Sequence, residues 1–393
     1  MATASYTTSV SKIPGRSSIP EDAASNPHHI VKGKNRVVTG FKNPYPSYKD
    51  PDVLKHVIWA RLTGNLKFPD TTPPTVPVVK PNWLPNREAG QAENKIRATW
   101  LGHACYYVEF PSGVRVLFDP VFEPCCSPWP ASLIGPRRYT EPPCQLKDIP
   151  VIDAVVISHS HYDHLSHPSV VEIQKYHPKV QFFVGLGLEK WFRRSGIDNV
   201  TELDWWEDAD LTITVKEGED DKEKSITARV SCLPCQHTSA RSPFDKDTTL
   251  WCSWAVRTGE KSVWFGGDTG YRAVPLVPEG VDDYGPEFAS LPRCPQFKQI
   301  GDMRGPFDLG LIPIGAYHPR AAFSGMHANP FDSVEIFRDT QCKRAMGIHW
   351  GTWALTSEDV LEPPKLLKEA LKRREIAEEG VFDVCDIGES REF

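Results

Sequence analysis

Apolar residues along this chain change their spacing repeatedly, and those changes mark out its elements. Short apolar runs over Ile96–Leu101, Cys105–Phe110 and Val114–Phe118 predict three strands, with Gly102-His103 and Pro111-Ser112-Gly113 as the turns between them. Ile152–Ser158 is apolar and β-rich and predicts another. Helices are predicted over Pro168–Tyr176 and Leu188–Arg194, and strands over Val180–Val184 and Val200–Leu203. Leu211–Val215 and Ile226–Leu233 flank a charged stretch, 216–225, which predicts a hairpin with a solvated tip. Further strands are expected at Thr249–Arg257, Lys261–Phe265, Asp308–Ile314 and Ala345–Ile348. Helices are expected at Asn329–Asp339, with Pro330 in its first turn, and at Pro363–Arg374.

The remaining stretches lack such spacing. Residues 1–35 are rich in Ser, Thr and Pro and are expected to be disordered. Residues 36–95 form an N-terminal extension expected to pack on the core or on a membrane. Within it Val53, Val57, Ile58 and Leu62 have helical spacing, and the proline-rich 69–85 must be a loop. Residues 123–150 are too long for a mere connector, and such loops tend to line sites. The segment 272–304 is Pro-rich and is expected to be an irregular insertion or lid. Residues 96–393 then form one large domain carrying that insertion.

Composition narrows the function classes. A hydrophobic content of 40% over 393 residues supports a sizeable core. The net charge of −6, with no basic stripe, argues against a nucleic-acid partner. No apolar run of spanning length exists, and residues 1–30 have no secretory h-region, so an intracellular location is expected, cytoplasmic or peripheral to a membrane. The ten cysteines are scattered, which suits a reducing compartment. Cys232-Leu233-Pro234-Cys235 lies within strand-like sequence and lacks a second pair at zinc-ribbon spacing, so it is not read as a redox or zinc motif.

The chemistry sits at strand ends. His159-Ser160-His161-Tyr162-Asp163-His164 directly follows the Ile152–Ser158 run. On an extended tail His159 and His161 share a face, and Asp163 and His164 lie past the bend. That arrangement suits two metal ions a few ångströms apart, and His and Asp suit zinc or iron. Later predicted strands lead to His237, to Asp268 in Gly266-Gly267-Asp268-Thr269-Gly270, and to His349. Asp119 ends a strand before Pro120 and is either a turn carboxylate or the acceptor that orients a ligand histidine. His103 is as readily structural as catalytic.

Metal ligands delivered by successive strand ends in this order resemble the metallo-β-lactamase fold, an α/β four-layer αββα sandwich of two mixed sheets flanked by helices. Within that superfamily the chain resembles the N-acylphosphatidylethanolamine-hydrolysing phospholipase D family. The stretches that carry the likeness are Thr99-Trp100-Leu101-Gly102-His103-Ala104, Leu203-Asp204-Trp205-Trp206-Glu207, Gly267-Asp268-Thr269-Gly270-Tyr271, Ile312-Pro313-Ile314-Gly315-Ala316-Tyr317 and Ile348-His349-Trp350-Gly351-Thr352. The segment Thr238-Ser239-Ala240-Arg241 departs from the animal enzymes. The resemblance implies two zinc ions, one on His159, His161 and His237, the other on Asp163, His164 and His349, with Asp268 bridging. A hydroxide between the metals would attack the phosphorus of N-acylphosphatidylethanolamine, giving phosphatidic acid and an N-acylethanolamine. Asp268, His327 and Asp119 are the expected catalytic residues, and Tyr162 and His327 the expected contacts to the substrate. The partner is then a membrane surface bound peripherally, with a homodimer as an open option. The alternative is a hydrolase of a soluble phosphodiester or lactone built on the same metal core.

Overall fold

The computed structural model describes residues 6–16, 18–50, 68–72, 75–127, 135–217, 222–278 and 280–393. The strands begin with β1 (Tyr6–Lys12), β2 (His29–Lys32), β3 (Val37–Phe41), β4 (Arg97–Gly102), β5 (Cys105–Glu109), β6 (Arg115–Phe118), β7 (Ala154–Val156), β8 (Gln181–Gly185) and β9 (Val200–Leu203). They continue with β10 (Asp208–Glu217), β11 (Lys222–Leu233), β12 (Ser253–Thr258), β13 (Lys261–Phe265), β14 (Leu309–Pro313), β15 (Ala345–Ile348), β16 (Phe382–Asp383) and β17 (Ser390–Glu392). The helices are α1 (His167–Tyr176), α2 (Glu189–Arg194), α3 (Gln296–Arg304), α4 (Arg320–Phe323), α5 (Pro330–Asp339) and α6 (Glu362–Arg373).

Two mixed sheets result. One has the order β1-β10-β11-β12-β13-β14-β15-β16 and the other β17-β4-β5-β6-β7-β8-β9. In each, antiparallel strands come first and parallel strands complete the set: β6, β7, β8 and β9 in one, β13 to β16 in the other. Side-chain alternation assigns the layers. Phe183, Val156 and Phe118 point inward to meet Trp254 and Phe265 of the facing sheet, while Trp264 points outward to Phe297. Their neighbours Phe182, Val155 and Leu117 point outward to Val170 and Ile173 of α1 and Phe192 of α2. The inner cluster also takes in Phe297 of α3, Val334 and Ile336 of α5 and Leu367 of α6, which cover the outer face of the second sheet. The result is the expected αββα sandwich.

Helix starts follow the local sequence. The side chain of Ser166 accepts the N–H of Ser169 ahead of α1, and that of Asn329 accepts the N–H of Asp332 ahead of α5; each helix has a proline in its first turn.

Three expectations are corrected. Residues 1–35 are not wholly disordered: β1 pairs antiparallel with β10 from Tyr6↔Val215 to Lys12↔Ala209. Its Ser/Thr content suits an edge strand, while Tyr6 and Val10 pack against the inner core. The segment 272–304 is not irregular throughout, since it ends in α3. Its earlier part is pinned rather than free. Arg272 reaches Asp283 and Asp332 at 3.0 Å each, and Arg320 reaches Asp283 at 2.8 Å and Asp332 at 2.6 Å. Finally, residues 249–252 precede β12 instead of belonging to it. The helical spacing over 53–62 and the hairpin tip at 218–221 lie outside the described residues. The Cys232/Cys235 pair is buried and free; the eight further cysteines are also free, six buried and two half-buried.

Candidate metal centre

All seven expected ligands come together at one edge of the sandwich. β7 is buried on both faces, as a central parallel strand should be. The chain then leaves the sheet at Ile157-Ser158 and delivers His159, His161, Asp163 and His164 in a turn before α1. The loop after β11 brings His237, the loop after β13 brings Asp268, and the residue after β15 is His349.

The donor atoms fall into two sets. His161 Nδ1 lies 2.8 Å from His159 Nε2 and 3.2 Å from His237 Nε2. Asp163 Oδ2 lies 3.4 Å from both His164 Nε2 and His349 Nε2. Asp268 Oδ2 stands between the sets, 3.2 Å from His164 Nε2, 3.0 Å from His349 Nε2, 3.7 Å from His237 Nε2 and 4.0 Å from His159 Nε2. Several atoms facing the site have no hydrogen-bond partner although buried: His164 Nε2, His349 Nε2 and Asp268 Oδ1. Orphaned buried donors and acceptors of this kind are rare unless a ligand completes them. Nitrogen and carboxylate ligands in two sets joined by one carboxylate fit two divalent cations.

The outer nitrogens explain how the rings are aimed. His164 Nδ1 is 2.6 Å from Asp119 Oδ2. Ser158 Oγ donates to the same oxygen at 2.5 Å and faces His159 Nδ1 at 2.9 Å. His237 Nδ1 faces the carbonyl of Met326 at 3.0 Å. In each case the outer nitrogen carries the proton, so the inner one presents a lone pair. Asp119 therefore orients His164 directly and His159 through Ser158.

Electrostatics set His164 and His349 apart: burial opposes their protonation, but Asp268 and the other carboxylates outweigh it and raise both, so a bound cation would displace a proton from each inner nitrogen. Burial pushes the Asp268 carboxyl up, but His164 and His349 beside it outweigh burial and hold it well below the usual carboxylate range. Burial, helped by the neighbouring histidines and opposed by Asp268, keeps His159 and His237 well below the usual histidine value, neutral and able to ligate. The backbone is also constrained here. Asp119, His103 and His349 adopt left-handed φ values of 38°, 50° and 64°. Non-glycine residues adopt this region uncommonly, Asp and His more readily than most. Gly267, also left-handed, packs so tightly that a Cβ would meet Ser158 Cβ at 2.5 Å.

The other expected residues are placed as follows. His327 Nδ1 stands 3.8 Å from Asp268 Oδ2, with its ring 5.0 Å from that of His237. Burial lowers its pKa to about 4. Tyr162 lies on the ligand loop, but its ring faces the Arg241 guanidinium at 4.0 Å and its hydroxyl donates to the Arg241 carbonyl. His103, left open by the sequence, belongs to the site: its Nε2 is 3.1 Å from Asp163 Oδ2 and its ring 4.2 Å from that of His349.

Other contributors had no sequence signal. Arg241 Nη1 donates to the carbonyls of Ser160 and Leu165, both at 2.8 Å, and so clasps the two ends of the ligand loop. Asn43 donates to the His237 carbonyl at 2.7 Å. Gln236 is held by Ser47 and in turn donates to the Gly325 carbonyl, tying residues 42–50 to the loop that carries His327. A shallow cleft bordered by Trp350, Trp353, Tyr139 and Leu355 opens beside His349.

Comparison with known proteins agrees with this geometry. Residues 114–350 match the β-lactamase superfamily domain. The chain is 36% identical over 343 residues to N-acyl-phosphatidylethanolamine-hydrolyzing phospholipase D 1 of Caenorhabditis elegans, covering 86% of this chain and 85% of that one. The chain belongs to the N-acylphosphatidylethanolamine-hydrolysing phospholipase D family of the β-lactamase superfamily. Its relatives in the family include the mitochondrial enzyme of the same name from Saccharomyces cerevisiae, 32% identical over 69% of this chain and 50% of that one. An uncharacterized protein of Mycobacterium tuberculosis is 33% identical over 82% of this chain and 74% of its own length. The family chain described here is accordingly a hydrolase.

Proposed function

We propose that this hydrolase is zinc-dependent, holds two ions per chain, and cleaves N-acylphosphatidylethanolamine to phosphatidic acid and an N-acylethanolamine. The observation that carries the reading is the position of Asp268 Oδ2, facing His164 and His349 on one side and His237 and His159 on the other. His159, His161 and His237 would hold one ion, Asp163, His164 and His349 the other, and Asp268 both. Bound there, the ions would supply Lewis-acid activation of water and neutralise charge on a phosphodiester.

The chain's own residues account for the rest. Asp119 and Ser158 fix the ring orientations. His327, neutral at physiological pH, keeps one N–H to steady the leaving end of the substrate across from Asp268. Tyr162 and Arg241 form the neighbouring wall, where the phosphate region would lie. Attack at phosphorus breaks the bond to the ethanolamide oxygen, which leaves as an alkoxide and takes a proton. Among the described residues no helix is long and apolar enough to cross a membrane. Lipid would therefore be met peripherally, through surface side chains.

The test is turnover of dispersed N-acylphosphatidylethanolamine beside a water-soluble phosphodiester, in ¹⁸O-labelled water. The expected result is preferential lipid cleavage with the label in phosphatidic acid. Label in the N-acylethanolamine would mean carbon–oxygen cleavage, and preference for the soluble ester would favour a soluble substrate.

A further inference from the structure

We infer that residues 241–247 form the part of this enzyme that enters a phospholipid bilayer, with the Phe244 ring as its wedge, on a rim completed by residues 42–50 and Leu276. The inference rests on the lipid reading above and adds where the lipid surface is met.

Phe244 is 95% exposed, the most exposed large apolar side chain among the described residues. On a slack loop that would mean little. This loop is braced. The Asp245 carboxylate accepts the backbone N–H of Arg241 at 3.0 Å, that of Ser242 at 2.7 Å and the Ser242 hydroxyl at 3.0 Å. Thr248 donates to the Asp245 carbonyl at 2.8 Å. Asp247 and Ser239 exchange a backbone bond of 2.7 Å and a side-chain bond of 3.1 Å. A chain segment held this firmly presents a bare ring to solvent permanently.

The loop that carries the ring is tethered to the metal centre. Arg241 is bonded to Ser160 and Leu165 at either end of the ligand loop, and three residues of chain reach at most roughly 10 Å. The same rim carries residues 42–50. Phe41 donates to the Asp247 carbonyl at 2.8 Å, and Lys246 pairs with Asp50 at 2.9 Å. At the far end Ala273 donates to the Ser47 carbonyl at 2.8 Å, three residues before Leu276, which is 74% exposed. Two bare apolar side chains thus flank the exposed Lys42 and Lys49. Apolar tips with ammonium groups beside them match the acyl and headgroup layers of a bilayer, and the metal-ligand loop would lie just behind the headgroups.

The experiment uses the full, zinc-loaded chain and a Phe244→Ser variant. Substrate is presented in phosphatidylcholine vesicles and, separately, as a short-chain analogue below its aggregation concentration. Transfer of a phenyl side chain from water to hydrocarbon is favoured by about tenfold or more. Phe244→Ser should therefore raise the vesicle concentration giving half-maximal rate by about that factor, while leaving kcat and KM for the monomeric analogue unchanged. Phe244→Trp should bind vesicles like the natural chain and show added quenching by brominated acyl chains. Wild-type behaviour of Phe244→Ser on vesicles, or no quenching beyond wild type in Phe244→Trp, overturns the inference. A protein partner at this rim would give those negative results. If no variant hydrolyses N-acylphosphatidylethanolamine in either form, the substrate reading fails, and vesicle quenching still decides the docking surface.

Discussion

The Nδ1 of His164 lies 2.6 Å from Asp119 Oδ2 while its Nε2 lies 3.2 Å from Asp268 Oδ2, so one imidazole spans from the carboxylate beneath the site to the carboxylate inside it. Asp119 also takes the Ser158 hydroxyl and backbone N–H. An asparagine in its place would keep the volume but lose the charge, and its NH₂ would face one of these donors. Asp119→Asn should weaken zinc binding by roughly 10- to 100-fold, the usual cost of losing such a partner. Competition with a chelator of known affinity checks this. Wild-type affinity would remove Asp119 from the orienting role.

Asp268 is predicted to be the most sensitive ligand, because both donor sets face it. Wild-type protein should carry about two zinc ions per chain, more than one tetrahedral ion's worth of ligands being present. Asp268→Asn should lose activity by orders of magnitude with the fold retained, since the change removes a charge from the site and not volume from the core. Elemental analysis, circular dichroism and turnover together check it. A wild-type content that stays at one after reconstitution would refute the two-ion assignment.

Why some of this was legible and some was not follows from distance along the chain. His159, His161, Asp163 and His164 lie within six residues after an apolar run, so both their identity and their strand-end position could be read directly. His237, Asp268 and His349 each follow a predicted strand. Nothing local marks His103, whose contact with Asp163 spans 60 positions. β1 was hidden for a similar reason: its partner β10 lies some two hundred residues away, and Ser/Thr alternation alone does not distinguish an edge strand from a disordered tail. Arg241 and Asn43 act on carbonyls of other loops, a role that no side-chain pattern announces. The 272–304 segment misled through its prolines, which made it look free. The Arg272–Asp283–Asp332–Arg320 network that pins it becomes visible only once the chain has folded.

His327 is expected to affect turnover more than metal retention. It faces Asp268 from 3.8 Å, outside the two main donor sets, and the backbone of its loop is fixed by a bond of Ala328 N–H to the Thr269 carbonyl at 2.7 Å. His327→Ala should lower kcat by about 10²- to 10⁴-fold, the usual range for a side chain assisting proton transfer, with zinc content unchanged. Near wild-type kcat would exclude His327 from the chemistry, and loss of one zinc would make it a ligand.

The last prediction concerns pH and the cluster of residues around Asp204. Arg16, His28 and His29 converge on Asp204, His28 Nε2 at 2.8 Å and His29 Nε2 at 2.9 Å, with the His28 ring stacked 4.2 Å from that of Trp205. The clasp holds residues 18–50 against the turn after β9, and the same segment supplies Asn43 to the His237 carbonyl. Burial lowers the His28 pKa in spite of Asp204. Burial would raise the Asp204 carboxyl, but His28, His29 and Arg16 outweigh it and hold it below the usual range. Unfolded histidine takes up its proton below about 6.5 and unfolded aspartate below about 4. In both windows the unfolded chain binds more protons than the folded one, so stability falls as pH falls, first through the histidine window and then through the carboxylate window. Amides of β2 and β3, and the Lys42 amide bonded to the His28 carbonyl, should exchange faster with solvent at pH 5.5 than at 7.5 after correction for intrinsic rates. Asp204→Asn should make that exchange fast at both values and cost about 3 kcal/mol in urea unfolding, because the buried cation and imidazoles lose their shared partner. Exchange in this segment that is unchanged by either acid or the substitution would show that the clasp does not hold it.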